Sequence, residues 1–485
     1  MKRAGLLLAL CCALLVPVAG ASADGDPVPP APVPAPAPLP DPPVPDPPLP
    51  VPLPPVPAPE PPPPPAPVPA PAPPPLAWGA ADDTSKFADD GGAWFYDELK
   101  GASLTQNRWT VGFDPSNPLA IDELPFLERA APVAQAAGIR VILVLYSIKG
   151  SQHDPIQFCE WAKQVVRTVN QWGIHDFVVG NEVNTRLYWS PQKDVNGRDV
   201  AAPAYLALLA TCYDGIHAVD PQANVIGMGL SPRASTPESN EPLAFLRDLG
   251  RVYRNSGRTT PIMDQLSIHP YPNPSVPTQG PAIGYDNPDR FGVPNLDRVK
   301  QAVWDAFHGT AQPTTLNGLT FVVDEIGWQT DTTAYPAYLN AENVPVVTEQ
   351  RQADYLRILA SRYFACDPTV VSVQLFLLVD EKYRNGRDES NTYVGGGWQS
   401  GLVTAGGPGV SQVKSTYLKV APVFGAGRAA CTAGTISWSP SKTTVLAATP
   451  RGGKGLHARA AKAKPARKPL CRQRRGLSKK PCRAR

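Results

Sequence analysis

Between residue 76 and about residue 425, short and nearly continuous apolar runs alternate with longer amphipathic stretches. The apolar runs predict strands over 76–81, 108–113, 140–146, 177–180, 224–230, 265–269, 320–324 and 370–378. Helices are predicted between them, most clearly over 121–137, 155–172, 203–219, 242–255, 295–308 and 349–364. In 124–137, Leu, Phe, Ala and Val recur at helical spacing. Gly138 then ends the helix before the run from Val141 to Leu145. Strands that are apolar on both faces mark a parallel sheet covered on both sides. Eight of them with helical crossovers predict an α/β fold, a (β/α)8 TIM barrel. The alternative, a doubly wound open sheet, usually carries a glycine-rich turn after its first strand. The segment Trp78-Gly79-Ala80-Ala81-Asp82 is not such a turn. The barrel region exceeds the ~250 residues of a minimal barrel, so long loops are expected, among them the glycine-rich 386–409.

Outside this region the patterning changes twice. Of the 61 prolines, 30 fall within the 49 residues of 27–75, interleaved with Ala, Val and Leu. Proline fixes φ and removes the amide donor, so this segment should be a polyproline II arm of ~3.1 Å per residue. Ahead of it, Lys2 and Arg3 precede an apolar stretch over 4–18, and Ala21-Ser22-Ala23 follows. That order predicts a secretory signal over 1–23, cleaved after Ala23. The stretch is short for a membrane span and Pro17 interrupts it, so no transmembrane segment is expected after cleavage.

Net charge sharpens the division. The chain carries +3, but 14 Lys or Arg and no Asp or Glu lie in 451–485. The predicted layout is a signal over 1–23, a proline-rich linker over 24–75, a catalytic barrel over 76–425, an extension over 426–450 and a disordered basic tail over 451–485. The acidic remainder excludes reading the whole chain as a nucleic-acid binder. The tail itself fits either a solubilising segment or attachment to an anionic cell-envelope polymer. Six cysteines remain after the signal, an even number that suits an exported, disulfide-bonded chain. Six cysteines allow about 15 pairings, among which the sequence does not choose; simple chain order would give 159–212, 366–431 and 471–482.

Chemistry in such a barrel lies at the carboxyl ends of the strands. The fourth strand runs out as Phe177-Val178-Val179-Gly180-Asn181-Glu182-Val183-Asn184. The seventh runs out as Phe321-Val322-Val323-Asp324-Glu325-Ile326-Gly327-Trp328. Each puts a glutamate where buried strand meets loop, and strands four and seven face each other across an eight-stranded ring. Two carboxyls ~5–5.5 Å apart are what retaining glycoside hydrolysis needs. Tyr146, Tyr188 and Trp189, at or beyond strand ends, are candidate sugar platforms.

These motifs resemble the clan A glycoside hydrolases, retaining enzymes on a (β/α)8 barrel with Asn-Glu ending strand four and Glu ending strand seven. The resemblance implies Glu182 as general acid/base, Glu325 as nucleophile and Asn181 as partner of the substrate 2-hydroxyl. His269 and Tyr271 in Ile268-His269-Pro270-Tyr271 are similar to the His-x-Tyr of family 5, which implies a subsite histidine and a tyrosine contacting the nucleophile. Gly180-Asn181-Glu182-Val183 and Glu325-Ile326-Gly327-Trp328 also look like families 17 and 53, and family 39 remains open. Many clan members end strand eight with a stacking Trp. The run Leu378-Val379-Asp380-Glu381 has none, which leaves Trp328 or Trp398 to take that place. Arg108 reads either as support for the nucleophile or as an ordinary ion-pairing arginine.

The expected function is a secreted or cell-envelope-associated retaining glycoside hydrolase, acting as a monomer on a β-linked poly- or oligosaccharide. The alternative is a catalytically inactive, carbohydrate-binding barrel. The sequence carries no metal, nucleotide or flavin motif, and no cofactor is expected. Catalytic residues would be Glu182 and Glu325, with Asn181, His269, Tyr271, Trp328, Arg108 and Tyr146 binding substrate.

Overall fold

The computed structural model describes residues 72–441 apart from 149, 152, 274–279, 343–344 and 394–396. The expected signal over 1–23, nearly all of the proline-rich linker, the basic tail over 451–485 and the Cys471–Cys482 pair lie outside the described residues. Eight parallel strands close a barrel in simple sequential order: β1 (Ala77–Ala81), β2 (Gln106–Phe113), β3 (Arg140–Ser147), β4 (Asp176–Val179), β5 (Asn224–Leu230), β6 (Gln265–Ile268), β7 (Thr320–Ile326) and β8 (Val370–Leu375), with β8 pairing back to β1. This is a (β/α)8 TIM barrel.

Strand periodicity divides the core. In β3, Val141, Leu143 and Leu145 point outward into the large apolar layer beneath the helices. Ile142 and Val144 point inward and pack with Val178, Ile226 and Val322. Tyr146 packs on this inner cluster toward the carboxyl end.

The main helices follow the predicted periodicity. Pro155–Val169 shows the local logic: the Asp154 carboxylate accepts from Ile156 N–H at 2.8 Å, and Pro155 takes the first position, where no amide donor is needed. Leu124–Ala136 ends at Gly138, whose φ of 70° is left-handed. Two helices without a prediction complete the ring, Ala93–Gly101 after β1 and Ser415–Gly425 after β8.

The structure corrects the end of the eighth strand. It stops at Leu375, not at residue 378. Leu377 and Leu378 are buried in the following loop, where Leu378 and Val379 donate their amides to the Asp82 carboxylate at 3.1 and 2.9 Å. A buried loop carries the same apolar signature as a buried strand.

Two disulfides brace the outer layer. Cys159–Cys212 joins helix Pro155–Val169 to helix Ala201–Val219, and Cys366–Cys431 ties the segment before β8 to the end of the described chain. Among the described residues no helix is long and apolar enough to cross a membrane. At the amino end of the barrel, Pro74 and Pro75 join Gln106, Arg140, Asp176 and Gln265 around a cavity of about 240 Å³. There the Arg428 guanidinium donates to the carbonyls of Pro74, Phe364 and Asp367 at 2.9, 2.9 and 2.6 Å.

Candidate active site

The turn after β4 is shaped by backbone constraint. Gly180 has φ of 93° and Glu182 itself has φ of 42°, in the left-handed region that costs a non-glycine residue about 1 kcal/mol. Glu182 N–H donates to the Gly229 carbonyl at 2.7 Å, which offsets that cost. Gly229 belongs to an irregular stretch of β5 where the register against β6 shifts. A Cβ at Gly229 would lie 3.3 Å from Asn181 Cα, so this close approach of two strand ends suits glycine. Tyr205, reaching in from helix Ala201–Val219, fastens both pieces. Its hydroxyl donates to the Val179 carbonyl at 2.6 Å and accepts from Met228 N–H at 2.8 Å. Together these contacts aim Glu182 across the mouth.

Glu325 stands opposite, near the end of β7, its side chain 13% exposed. Arg108 of β2 bridges the two sides. One guanidinium nitrogen, Nη2, lies 3.0 Å from Glu325 Oε1 and donates to Asn181 Oδ1 at 2.9 Å. Burial disfavours the Arg108 charge, but Glu325 and Asp324 outweigh it and hold the pKa above the ordinary value. Tyr271 O–H donates to Glu325 Oε2 at 3.0 Å. Burial first, and then Glu325, push that hydroxyl well above its usual range, so it remains a donor.

His269 is fully buried between the two glutamates. Its Nδ1 lies 3.2 Å from Glu182 Oε1 and 3.6 Å from Glu325 Oε2. No more than about 7 Å therefore separates those two oxygens, a bound that admits the ~5–5.5 Å of retaining pairs. The other ring nitrogen, Nε2, lies 2.9 Å from Asp324 Oδ1. Burial alone would lower the imidazole pKa; Glu325 and Asp324 override it and raise the pKa to about 10. Burial would likewise raise the pKa of Asp324, and His269 and Arg108 keep it below its ordinary value.

Six of the eight sequence-predicted residues thus converge: Glu182, Glu325, Asn181, Arg108, His269 and Tyr271. Tyr146 stands at the rim, its ring 6.5 Å from that of Tyr188. Burial, and after it Glu182 and Glu325, raise the Tyr188 pKa. Trp189 belongs to the core, 3% exposed and packed on Tyr205. Trp328 is buried against Tyr355, with ring centroids 5.3 Å apart. Sequence reasoning missed two residues. Phe376, directly after β8, sets its ring edge-on to Tyr271 at 6.4 Å and to the exposed Trp398 at 5.8 Å. Read as part of a strand over 370–378, it carried no signal that placed it at the mouth. Asp324 was legible as the residue before Glu325, but nothing in the pattern told of its two cationic partners.

Beside Arg108 opens a cavity of about 860 Å³ between the ends of β1, β2 and β8, lined by Asp82, Asp83, Trp94, Phe376 and Glu381 among others. Burial pushes the Asp82 carboxyl up to about 6, despite the amides it accepts from Thr84 and Val379. Among the described residues no group of three or more His, Cys, Asp or Glu side chains is placed to hold a metal ion.

No protein-family model matches the chain, and no curated protein is similar to it. Solved structures with a similar backbone include a family 39 glycoside hydrolase from the gut symbiont Bacteroides cellulosilyticus, at 18% identity and a TM-score of 0.48 over 73% of this chain and 64% of that one. The GH39 enzyme from Xanthomonas axonopodis pv. citri aligns at 17% identity and a TM-score of 0.44, over 73% and 66% of the two chains. The chain spans slightly less than two thirds of the length of either. A fungal beta-1,4-galactanase aligns at 14% identity and a TM-score of 0.43, over 72% and 99%.

Proposed function

We propose that this chain is a secreted retaining glycoside hydrolase that cleaves a β-linked poly- or oligosaccharide by double displacement. The observation that carries the reading is the single imidazole nitrogen in reach of both glutamates, which brings them to a separation compatible with retention. Glu325 is the nucleophile. Arg108 and Tyr271 hold its two oxygens, one each, and aim the carboxylate at the anomeric carbon. Glu182 is the general acid/base. In the first step its proton passes to the leaving oxygen, the glycosidic C–O bond breaks, and a glycosyl ester forms on Glu325. In the second, Glu182 takes a proton from water, the water oxygen bonds to the anomeric carbon, and the ester C–O bond breaks. Asn181, oriented by Arg108, hydrogen-bonds the 2-hydroxyl. Phe376 and Trp398 suit stacking on sugar C–H faces, and the cavity beside Arg108 accommodates further sugar units. The disulfides favour an oxidising, extracellular setting.

Glu325→Gln and Glu182→Gln should each abolish hydrolysis of an aryl β-glycoside bearing an unactivated leaving group. A 2-fluoro glycoside should label the wild-type protein at Glu325, read by mass spectrometry of the peptides. Unchanged turnover in both variants would sink the assignment.

A further inference from the structure

Asp324 has no path to substrate. Its side chain and that of His269 are both at 0% exposure, and it lies behind the imidazole as seen from the cleft. Ser267 Oγ donates to its Oδ1, His269 Nε2 makes an ion-pair contact with the same oxygen at 2.9 Å, and Oδ2, 3.6 Å from Arg108 Nε, has no hydrogen-bond partner. A carboxylate only accepts, so the ring nitrogen facing it carries the proton. That fixes the role of the opposite nitrogen. His269 Nδ1 either donates to a Glu182 carboxylate or accepts from a Glu182 carboxyl, and the two states differ by one proton moved across 3.2 Å.

The geometry points to Asp324 as a positioning residue that fixes the His269 ring so that Nδ1 and Glu182 Oε1 hold one catalytic proton between them. This rests on the glycosidase reading above. The groups facing His269 are Glu182 after β4, Asp324 and Glu325 of β7 and Tyr271 of the following loop, with Arg108 of β2 behind the β7 pair. At rest the shared proton sits on the imidazole, whose charged form the carboxylates favour. As negative charge develops on the leaving oxygen, that one proton passes from Nδ1 to Glu182 Oε1 and from Glu182 to the leaving oxygen. The ester intermediate then has a Glu182 carboxylate facing a bare Nδ1 lone pair. That arrangement favours taking a proton from the attacking water, which reloads the pair. Atoms and charge balance: the aglycone gains one proton, water supplies one, and Glu325 ends each cycle as it began.

Asp324→Asn keeps an acceptor for Nε2 but removes the charge. With a poor leaving group, kcat/KM should lose at least about tenfold at pH 8, and its alkaline limb should move down by about one pH unit or more. With a dinitrophenyl glycoside, whose departure needs no proton, kcat/KM should change less than about threefold. A merely structural role would lower both substrates alike and leave the limb in place, and that result overturns the inference. Should the variant not fold, nitrogen-15 NMR of histidine-labelled wild type decides. His269 Nε2 should stay protonated from pH 5 to 9; a neutral Nδ1–H tautomer refutes the proposal. If Glu325→Gln turns over normally, the glycosidase reading falls; if it does not and the Asp324→Asn limb is unmoved, only the present inference falls.

Discussion

Removing one oxygen atom from Tyr205 should loosen the strand end that carries Glu182. The hydroxyl of this buried side chain is the hydrogen-bond partner of Met228 N–H and a donor to the Val179 carbonyl. Tyr205→Phe leaves ring packing in place and both backbone groups without that partner. An orphaned buried N–H costs about 1–3 kcal/mol, and a lost hydrogen bond to a carbonyl about 1 kcal/mol, so the barrel should lose about 2–4 kcal/mol. For a domain of this size that is a fall in Tm of about 3–5 °C. The effect on turnover follows from position. Val179 lies three residues before Glu182, and Met228 precedes the Gly229 carbonyl that holds the Glu182 amide. A displacement near 1 Å of an acid/base group can cost about a hundredfold. The loss should therefore appear in kcat for substrates needing acid assistance, with KM little altered. Calorimetry and steady-state kinetics on the same preparation check both. Wild-type Tm and kcat together would refute the idea that this hydroxyl positions the turn.

Tyr271→Phe removes the donor to Glu325 Oε2; a hydrogen bond to a charged group is worth about 1.5–3 kcal/mol, so kcat/KM should fall about ten- to a hundredfold without loss of fold by circular dichroism. The raised His269 pKa makes a signed prediction. Its contribution to stability is complete below the unfolded value of 6.5 and is lost as pH rises through about 10. Urea midpoints of the wild type should therefore decline across that window more steeply than those of His269→Asn, and parallel slopes would contradict the ion-pair account. Replacing Cys159 and Cys212 by Ser opens a loop spanning 53 residues and should cost about 4 kcal/mol in the chain-entropy account, checked by chemical denaturation with and without reductant.

The barrel was legible because each buried parallel strand is apolar on both faces and each helix repeats at its own period. Boundaries followed where polarity changes sharply, as at Arg140 and Asn224. They slipped where burial continues beyond hydrogen bonding, as from Leu375 into Leu377 and Leu378. That slip hid Phe376, since an aromatic inside a supposed strand gave no reason to place it at the mouth. The glutamates were readable because strand order fixes which ends converge; Asn181 and Arg108 entered through the resemblance to the clan A hydrolases. Trp328 illustrates the converse: proximity in sequence to Glu325 said nothing about which way its ring turns, and it packs on Tyr355. The role of Asp324 depends on His269 and Arg108 arriving from β6 and β2, information that no local pattern contains.

The clamp at the barrel floor has a mechanical consequence. The chain arrives at β1 through Pro74 and Pro75, at the end of the barrel away from the paired glutamates. Arg428 couples the Pro74 carbonyl to those of Phe364 and Asp367, next to the Cys366–Cys431 crosslink. Tension applied along the upstream segment is therefore shared with the stretch leading into β8 before it can peel β1 from its neighbours. The rim that holds Glu182 and Glu325 lies off that load path, so pulling on the floor would leave the spacing of the two carboxylates unstrained.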